Sequence, residues 1–386
     1  MADPPPTATR YGAGFEALAA LLAAWGEPAY RARQVWRGLY RRRAPLEELT
    51  DVGRPLRARL AEALPPALSP CHTSTADGGE TLKWLWEGAD GASVETVLMR
   101  YPGRATVCVS TQAGCAMGCT FCATGQAGFE RHLGTGEIVE QVARAQHAGP
   151  PRIGNVVFMG MGEPLANYDA TWEAVVRLHD DFGISARHLT VSTVGVVPGM
   201  RRLATERLPV TLAVSLHAPD DELRNELVPL NRRYPLAEVL DAARGYLAAS
   251  GRRLSFEYAM IGGVNDSPAQ ADALARRLRG FSPAAHVNLI PLNPTPGFAA
   301  PASPSRRVAA FAERLRAGGV NATVRRNRGT EIDAACGQLR TRRDAGRLGR
   351  PRPASAGLLR SVGLRPTPAV PGDGGDRDGG APVTMG

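Results

Sequence analysis

No stretch of the 386-residue chain approaches the roughly 20 consecutive apolar residues of a membrane-spanning helix. Met1 to Arg10 is Pro-rich and lacks the basic-then-apolar order of a signal peptide. A cytosolic protein with no membrane partner is therefore expected. Lysine is also nearly missing. Of 46 Lys and Arg residues, Lys83 alone is a lysine, a bias that genome composition explains as readily as function does. Cysteine is sparse and uneven. Three of the six crowd into 115–122, which disfavours a disulfide framework and favours metal or redox chemistry.

What is present is 44% hydrophobic residues and a formal charge of +9, enough for one large catalytic domain with smaller attachments. From Arg340 onward, nine Arg and four Asp place +5 in the tail and leave +4 in the rest. A basic tail suits nucleic acid, and a solvated extension fits as well. The Gly, Pro and Arg content with no periodicity predicts disorder over 341–386.

Helical spacing of Phe15, Leu18, Leu21 and Leu22, then of Val35, Trp36, Leu39 and Tyr40, predicts a helical accessory domain over 1–64. Its second helix mixes Arg31, Arg33, Arg37, Arg41, Arg42 and Arg43 with Tyr30, Trp36 and Tyr40. That mix suits an RNA backbone and base stacking, or equally a solvated face with aromatics turned to the core. Alternation at Leu82, Trp84 and Trp86, a turn at Gly88 to Gly91 and a run from Val94 to Met99 predict a β-hairpin extension over 71–100. Over 101–340, six runs (ATVCVS, NVVFMG, HLTVS, PVTLAVS, LSFEYAM and HVNLI) alternate with helical segments. The expected fold is α/β, a closed or partial (β/α)6 barrel, with ligands gathered at the strands' C-terminal ends.

GCAMGCTFCATG follows the first of these strands and sets Cys115, Cys119 and Cys122 in a C-x3-C-x2-C pattern. Three thiolates from one loop hold three irons of a 4Fe-4S cube and leave the fourth iron open for chemistry. A structural zinc ion needs a fourth ligand, and only His132 is near in sequence. The spacing, with Phe121 before the last cysteine, resembles the radical S-adenosylmethionine (SAM) enzymes. That resemblance implies one 4Fe-4S cluster whose open iron is chelated by SAM. MGEP, with Gly162 and Glu163, resembles the element that receives the methionine amino group. Ser192, the Ser215-Leu216-His217 run and Asn293 match positions that hold SAM in one subfamily; singly, each reads as ordinary loop capping.

Cys108 and Cys336 stand alone and on spacing read as buried apolar filling. Glu95 reads as a strand glutamate. Yet QVWRGLY, VETVLM, VCVSTQAGC, TVSTVG, PLNP and RNRGTEIDAACGQL occur in an order that resembles the dual-specificity 23S rRNA and tRNA adenine-C2 methyltransferases of the RlmN family, from residue 15 to 340. The tail departs from that pattern. Carbon 2 of adenine is electrophilic and cannot attack the methyl group of SAM, whereas a thiolate can. The resemblance implies that Cys336 takes the methyl group and that a radical made from a second SAM removes a hydrogen from it. The resulting carbon radical then adds to carbon 2. Glu95 accepts the displaced proton, and Cys108 frees the RNA by forming a disulfide with Cys336. The family's substrates, an adenosine in the peptidyl-transferase region of 23S rRNA and the one following the anticodon in tRNA, must leave their stacks to reach the cluster. An electron donor such as flavodoxin or ferredoxin is implied, and a monomer expected.

Three rivals stand beside this reading. The sister activity at carbon 8 of the rRNA adenosine shares the cluster and both cysteines, while Glu95 and QVWRGLY favour carbon 2. A methylthiotransferase brings a second cluster, for which Cys71, Cys108 and Cys336 are too scattered. A structural iron-sulfur RNA-binding protein would turn over no SAM.

Overall fold

The computed structural model describes residues 8–149, 152–281, 285–293, 295, 297–325, 328–335 and 337–339. Cys336 and the tail beyond 340 lie outside the described residues. Twelve strands are described: β1 (Leu68–Ala76), β2 (Thr81–Gly88), β3 (Ser93–Tyr101), β4 (Arg104–Cys108), β5 (Gln112–Gly114), β6 (Phe129–His132), β7 (Ile153–Phe158), β8 (Leu189–Thr193), β9 (Thr211–Ser215), β10 (Leu254–Met260), β11 (Ala285–Pro291) and β12 (Asn321–Val324). All but the small β5–β6 pair join one sheet in the order β1-β2-β3-β4-β7-β8-β9-β10-β11-β12.

From β4 to β12 every neighbouring pair is parallel, because a helix returns the chain between strands. The intervening helices include Thr135–His147, Tyr168–Asp180, Val197–Leu203, Leu236–Ser250, Pro268–Leu278 and Ser305–Ala317. β1 and β12 end the strand order, so the barrel is open. All six expected strands are present, and β12 adds a seventh parallel one.

The two faces of the sheet differ, as period-2 geometry requires. Val156, Phe158, Leu189, Val191, Leu212, Val214, Phe256, Tyr258, Val287 and Leu289 belong to the main core beneath the helices. The register puts Thr190 beside Thr211, Ser215 beside Glu257, and Glu257 beside Asn288 on the opposite face. That polar inner face carries the chemistry.

The hairpin expected over 71–100 is part of a three-stranded antiparallel meander that begins at Leu68. β3 pairs with β4, so the meander continues the barrel sheet. β1 escapes sequence reading for a physical reason. As an edge strand it is polar and largely exposed, and Pro70 sits at a register shift, where its missing N–H costs no ladder bond.

The N-terminal helices Phe15–Ala24, Tyr30–Tyr40 and Arg54–Ala63 share the main core with the barrel. Trp36 stacks on Tyr40 at 4.2 Å and donates to Asp181 at 2.9 Å, while Tyr40 is fully buried. Two of the three aromatics proposed for base stacking are thus core or docking residues, and Tyr30 is exposed. The arginines divide similarly. Arg43 is buried and donates to the Phe182 carbonyl at 2.6 Å, whereas Arg33, Arg37, Arg41 and Arg42 are exposed.

Candidate active site

A cavity at the C-terminal ends of the parallel strands is lined by Cys115, Cys119, Cys122, Gly162, Glu163, Ser192, Ser215, His217 and Asn293. Five separate segments, at or just beyond strand ends, supply these residues. Leu216 does not line it: its side chain is buried in the main core, and its carbonyl accepts from Arg224 Nε at 3.0 Å. Successive side chains point to opposite sides, so Ser215 and His217 face the cavity while the residue between them cannot.

The three thiols line the same cavity. No set of three or more His, Cys, Asp or Glu side chains among the described residues gathers about a single ion, as a zinc site requires. Three thiolates from one loop suit a several-iron cube, one thiolate per iron. Burial pushes the Cys115 thiol up to about 12 and Cys119 well above its ordinary value, the neighbouring thiols adding to it. Cluster assembly must therefore displace protons. Gly125 lets the loop close: a Cβ there would lie 2.9 Å from the Cys119 amide nitrogen.

Glu163 is held by backbone amides, accepting from Leu165 N at 3.0 Å and Val194 N at 2.9 Å. It thereby ties the loop after β7 to the loop after β8. Burial raises its carboxyl to about 7 against those hydrogen bonds. Gly162 has φ 103°, and a Cβ there would meet Gln112 Cβ at 2.6 Å; the Gln112 amide oxygen accepts from Glu163 N at 2.8 Å. His217 adopts the left-handed region at φ 62°. Its Nδ1 accepts from Ala259 N at 3.0 Å, and burial, with Arg224 nearby, lowers its value to about 3. The imidazole is neutral and Nε2 carries the hydrogen.

A second cavity adjoins the first along Met159, Ile290 and Arg325 and is lined by Val97, Met99, Cys108, Val157, Ala334, Ala335 and Leu339. Strand register explains its composition. Lys83 pairs with Val97, Val97 with Cys108, and Cys108 with Val157, so these four lie in one row on one face. Glu95 is two residues before Val97 and shares that face. It is buried and accepts an ion pair from Lys83 Nζ at 2.9 Å.

The loop carrying position 336 covers this face. The Gly337 carbonyl accepts from Ala123 N at 2.7 Å, and the Leu339 carbonyl accepts from Thr124 Oγ1 at 2.6 Å, which anchors the loop to the helix that follows the cysteine triplet. Ala335 lines the second cavity with Cys108, and Gly337 lines the first with the three thiols.

Three supporting residues were not singled out by the motifs, although Ser110 lies within VCVSTQAGC. Arg224, fully buried, donates to the carbonyls of Val194, Ser215 and Leu216 and to Asn231 Oδ1, joining the loops after β8 and β9. In DELRNEL it reads as a surface helix arginine. The Ser110 hydroxyl donates to the Glu95 carbonyl at 2.6 Å and accepts from Met161 N at 2.9 Å, linking β3 to the loop after β7. Lys83 had one signal, its solitude.

Residues 109–274 match the radical SAM superfamily, and residues 11–64 match the ribosomal RNA large subunit methyltransferase N-terminal domain. A probable dual-specificity RNA methyltransferase RlmN of Parafrankia sp. (strain EAN1pec) is 57% identical over 341 residues, 83% of this chain and 88% of that protein. Its counterpart in Chloroflexus aurantiacus is 54% identical over 344 residues, covering 85% and 92%. The chain belongs to the RlmN family. The crystal structure of a radical SAM methyltransferase from Sphaerobacter thermophilus superposes with a TM-score of 0.81 at 50% identity, covering 86% of this chain and 99% of that one. The chain is thus a radical-SAM RNA methyltransferase, with a 4Fe-4S cluster and SAM as its cofactors and RNA as its substrate. Among the described residues no helix is long and apolar enough to cross a membrane.

Proposed function

We propose that this RlmN member methylates carbon 2 of an adenosine, in the peptidyl-transferase region of 23S rRNA and next to the anticodon of tRNA. One observation carries the two-thiol chemistry: the residues on either side of Cys336 line, respectively, the cavity holding Cys108 and the cavity holding the cysteine triplet; the buried Glu95 beside that row favours carbon 2 over carbon 8. A methyl carrier must reach both, first to be loaded and activated, then to be resolved. When bound, the cofactors supply a transferable methyl group and a carbon-centred radical.

The chain's own residues do the rest. Cys115, Cys119 and Cys122 hold the cluster. Gly162, Glu163, Ser192, Ser215, His217 and Asn293 hold SAM, with neutral His217 offering Nε2–H. Cys336 receives the methyl group as a thiolate. Once the carbon–carbon bond to carbon 2 has formed and the adduct radical has lost one electron, which the oxidised cluster would accept, Glu95 takes the proton from that carbon, leaving the C–H electron pair in the adenine ring. The Cys108 thiolate then attacks the Cys336 sulfur: the S–S bond forms as the bond between that sulfur and the adduct's methylene carbon breaks, and its electron pair passes to the carbon, which takes a proton to become the methyl group. The chain acts in the cytoplasm as a monomer, with flavodoxin or ferredoxin as electron donor.

The test is nucleoside mass spectrometry of 23S rRNA and tRNA transcripts after incubation with reconstituted enzyme, SAM and reduced flavodoxin. 2-Methyladenosine in both is expected. 8-Methyladenosine instead would assign the sister activity, and SAM left intact in the presence of RNA and reductant would remove the enzymatic reading.

A further inference from the structure

We infer that Lys83 is a positioning residue for the proton-transfer step, holding Glu95 ionised and tying it to the loop that carries Cys336; this rests on Glu95 being the proton acceptor, as proposed above. Lys83 Nζ lies 2.9 Å from Glu95 Oε1 and donates to the Asp333 carbonyl at 3.2 Å, three residues before Cys336 in the chain. The side chains of the pair are 11% and 4% exposed. No other basic residue in the chain is a lysine.

The geometry explains why arginine has not taken this position. Lys83 sits on β2 opposite Val97, and Glu95 is the diagonal neighbour on β3, opposite Leu85. An ammonium is compact and directs three donors tetrahedrally, so it can meet a carboxylate on its own sheet and a carbonyl from the loop above. A guanidinium is planar, longer, and suited to gripping one carboxylate with two parallel bonds. The loop contact is itself constrained: Asp333 adopts φ 52°, and Ala334 N donates to the Gly329 carbonyl at 2.9 Å.

The chemical need follows from burial. A carboxyl buried without a cation favours its neutral form, and a neutral carboxylic acid has no capacity to take a proton from carbon 2. The ammonium keeps the acceptor charged until the adduct has formed. The proton then moves from carbon 2 to Glu95. The contact with Asp333 adds registry, since the acceptor and the loop presenting the adduct are fixed to the same nitrogen.

The test uses full-length, cluster-reconstituted enzyme already methylated on Cys336, in single turnover with a tRNA transcript across a range of pH, scored as methylated RNA per loaded chain. Lys83→Gln keeps a donor for Asp333 and removes the charge. The rate near neutral pH should fall about tenfold and the acid limb of the profile should move up by about one pH unit. Lys83→Arg should keep the limb near that of the parent. An acid limb unmoved in Lys83→Gln, with Glu95→Gln inactive, would overturn the role of Lys83 while leaving Glu95 as the acceptor. A parental rate in Glu95→Gln would instead remove the Glu95 assignment. The double variant Lys83→Gln/Glu95→Gln leaves no lone buried charge, so it covers the case in which Lys83→Gln fails to fold. Its residual rate should equal that of Glu95→Gln, and a further loss would show that Lys83 does not act through Glu95.

Discussion

The two ends of the inner face are built on different physics. At the cofactor end, Glu163, His217 and Arg224 are each held by hydrogen bonds to backbone groups, and the polar wall is rigid before anything binds. At the thiol end, Cys108 packs with Val97, Met161, Ala334 and Leu339, and the Lys83–Glu95 ion pair lies at the margin of that row. SAM carries charged and polar groups that need fixed partners. A methyl group on sulfur is apolar, and a carrier thiol that visits two neighbours is served by a largely apolar surface. The contrast assigns fixed binding to one end and sequential sulfur chemistry to the other.

The strongest way to break the comparison is to remove the fixed end's metal ligands. Ala in place of Cys115, Cys119 or Cys122 should abolish the iron-sulfur absorbance and all turnover, because only this triplet has ligand spacing. Iron content equal to the parent in all three variants would contradict it.

A smaller but still large effect is expected at Arg224. Arg224→Met leaves several buried carbonyls without their donor and should cost about 3 kcal/mol. Thermal unfolding and SAM binding by calorimetry would both register it, while Cys108 and Cys336 should still form their disulfide under oxidant. Unchanged SAM affinity would show that the cofactor end is not held in the way described.

The smallest effect sharpens the electrostatics. Burial raises Glu163 to about 7 in the folded chain, above its ordinary range, so the folded state binds a proton that the unfolded state releases. That contribution is full below the ordinary carboxyl value and is lost as pH rises through about 7, by up to about 3 kcal/mol. Urea midpoints of the cluster-free chain and of Glu163→Gln should therefore diverge between pH 5 and pH 8, the parent losing ground as pH rises. Parallel curves would show that Glu163 is not strained by burial.

Much of this was legible in the sequence because it is locally encoded. Each parallel strand is a β-branched or apolar run, and the candidate SAM and cluster residues lie at or just after the ends of those runs, so position along a strand predicted a place in the cavity. What was not legible depends on pairing between distant segments. Nothing in DELRNEL reveals that Arg224 meets three carbonyls, and nothing near Lys83 reveals Asp333, 250 residues away. β1 was hidden by its polar edge composition, and the aromatics of the second helix were ambiguous until Trp36 and Tyr40 were seen against Asp181 and Phe182. Leu216 shows the converse: within a contiguous motif only Ser215 and His217 present side chains to the cavity, while the side chain between them packs into the core.

The central claim is that Cys336 and Cys108 act in order across the two adjoining cavities, and one gel tests it most directly. Cys336→Ala should form neither methylated protein nor methylated RNA. Cys108→Ala should still load its methyl group and attack carbon 2, then stall, so that denaturing electrophoresis with labelled RNA shows a protein–RNA adduct joined through Cys336. Absence of the adduct in Cys108→Ala, together with methylated RNA formed at the parental rate, would contradict the account and leave Cys108 as packing alone.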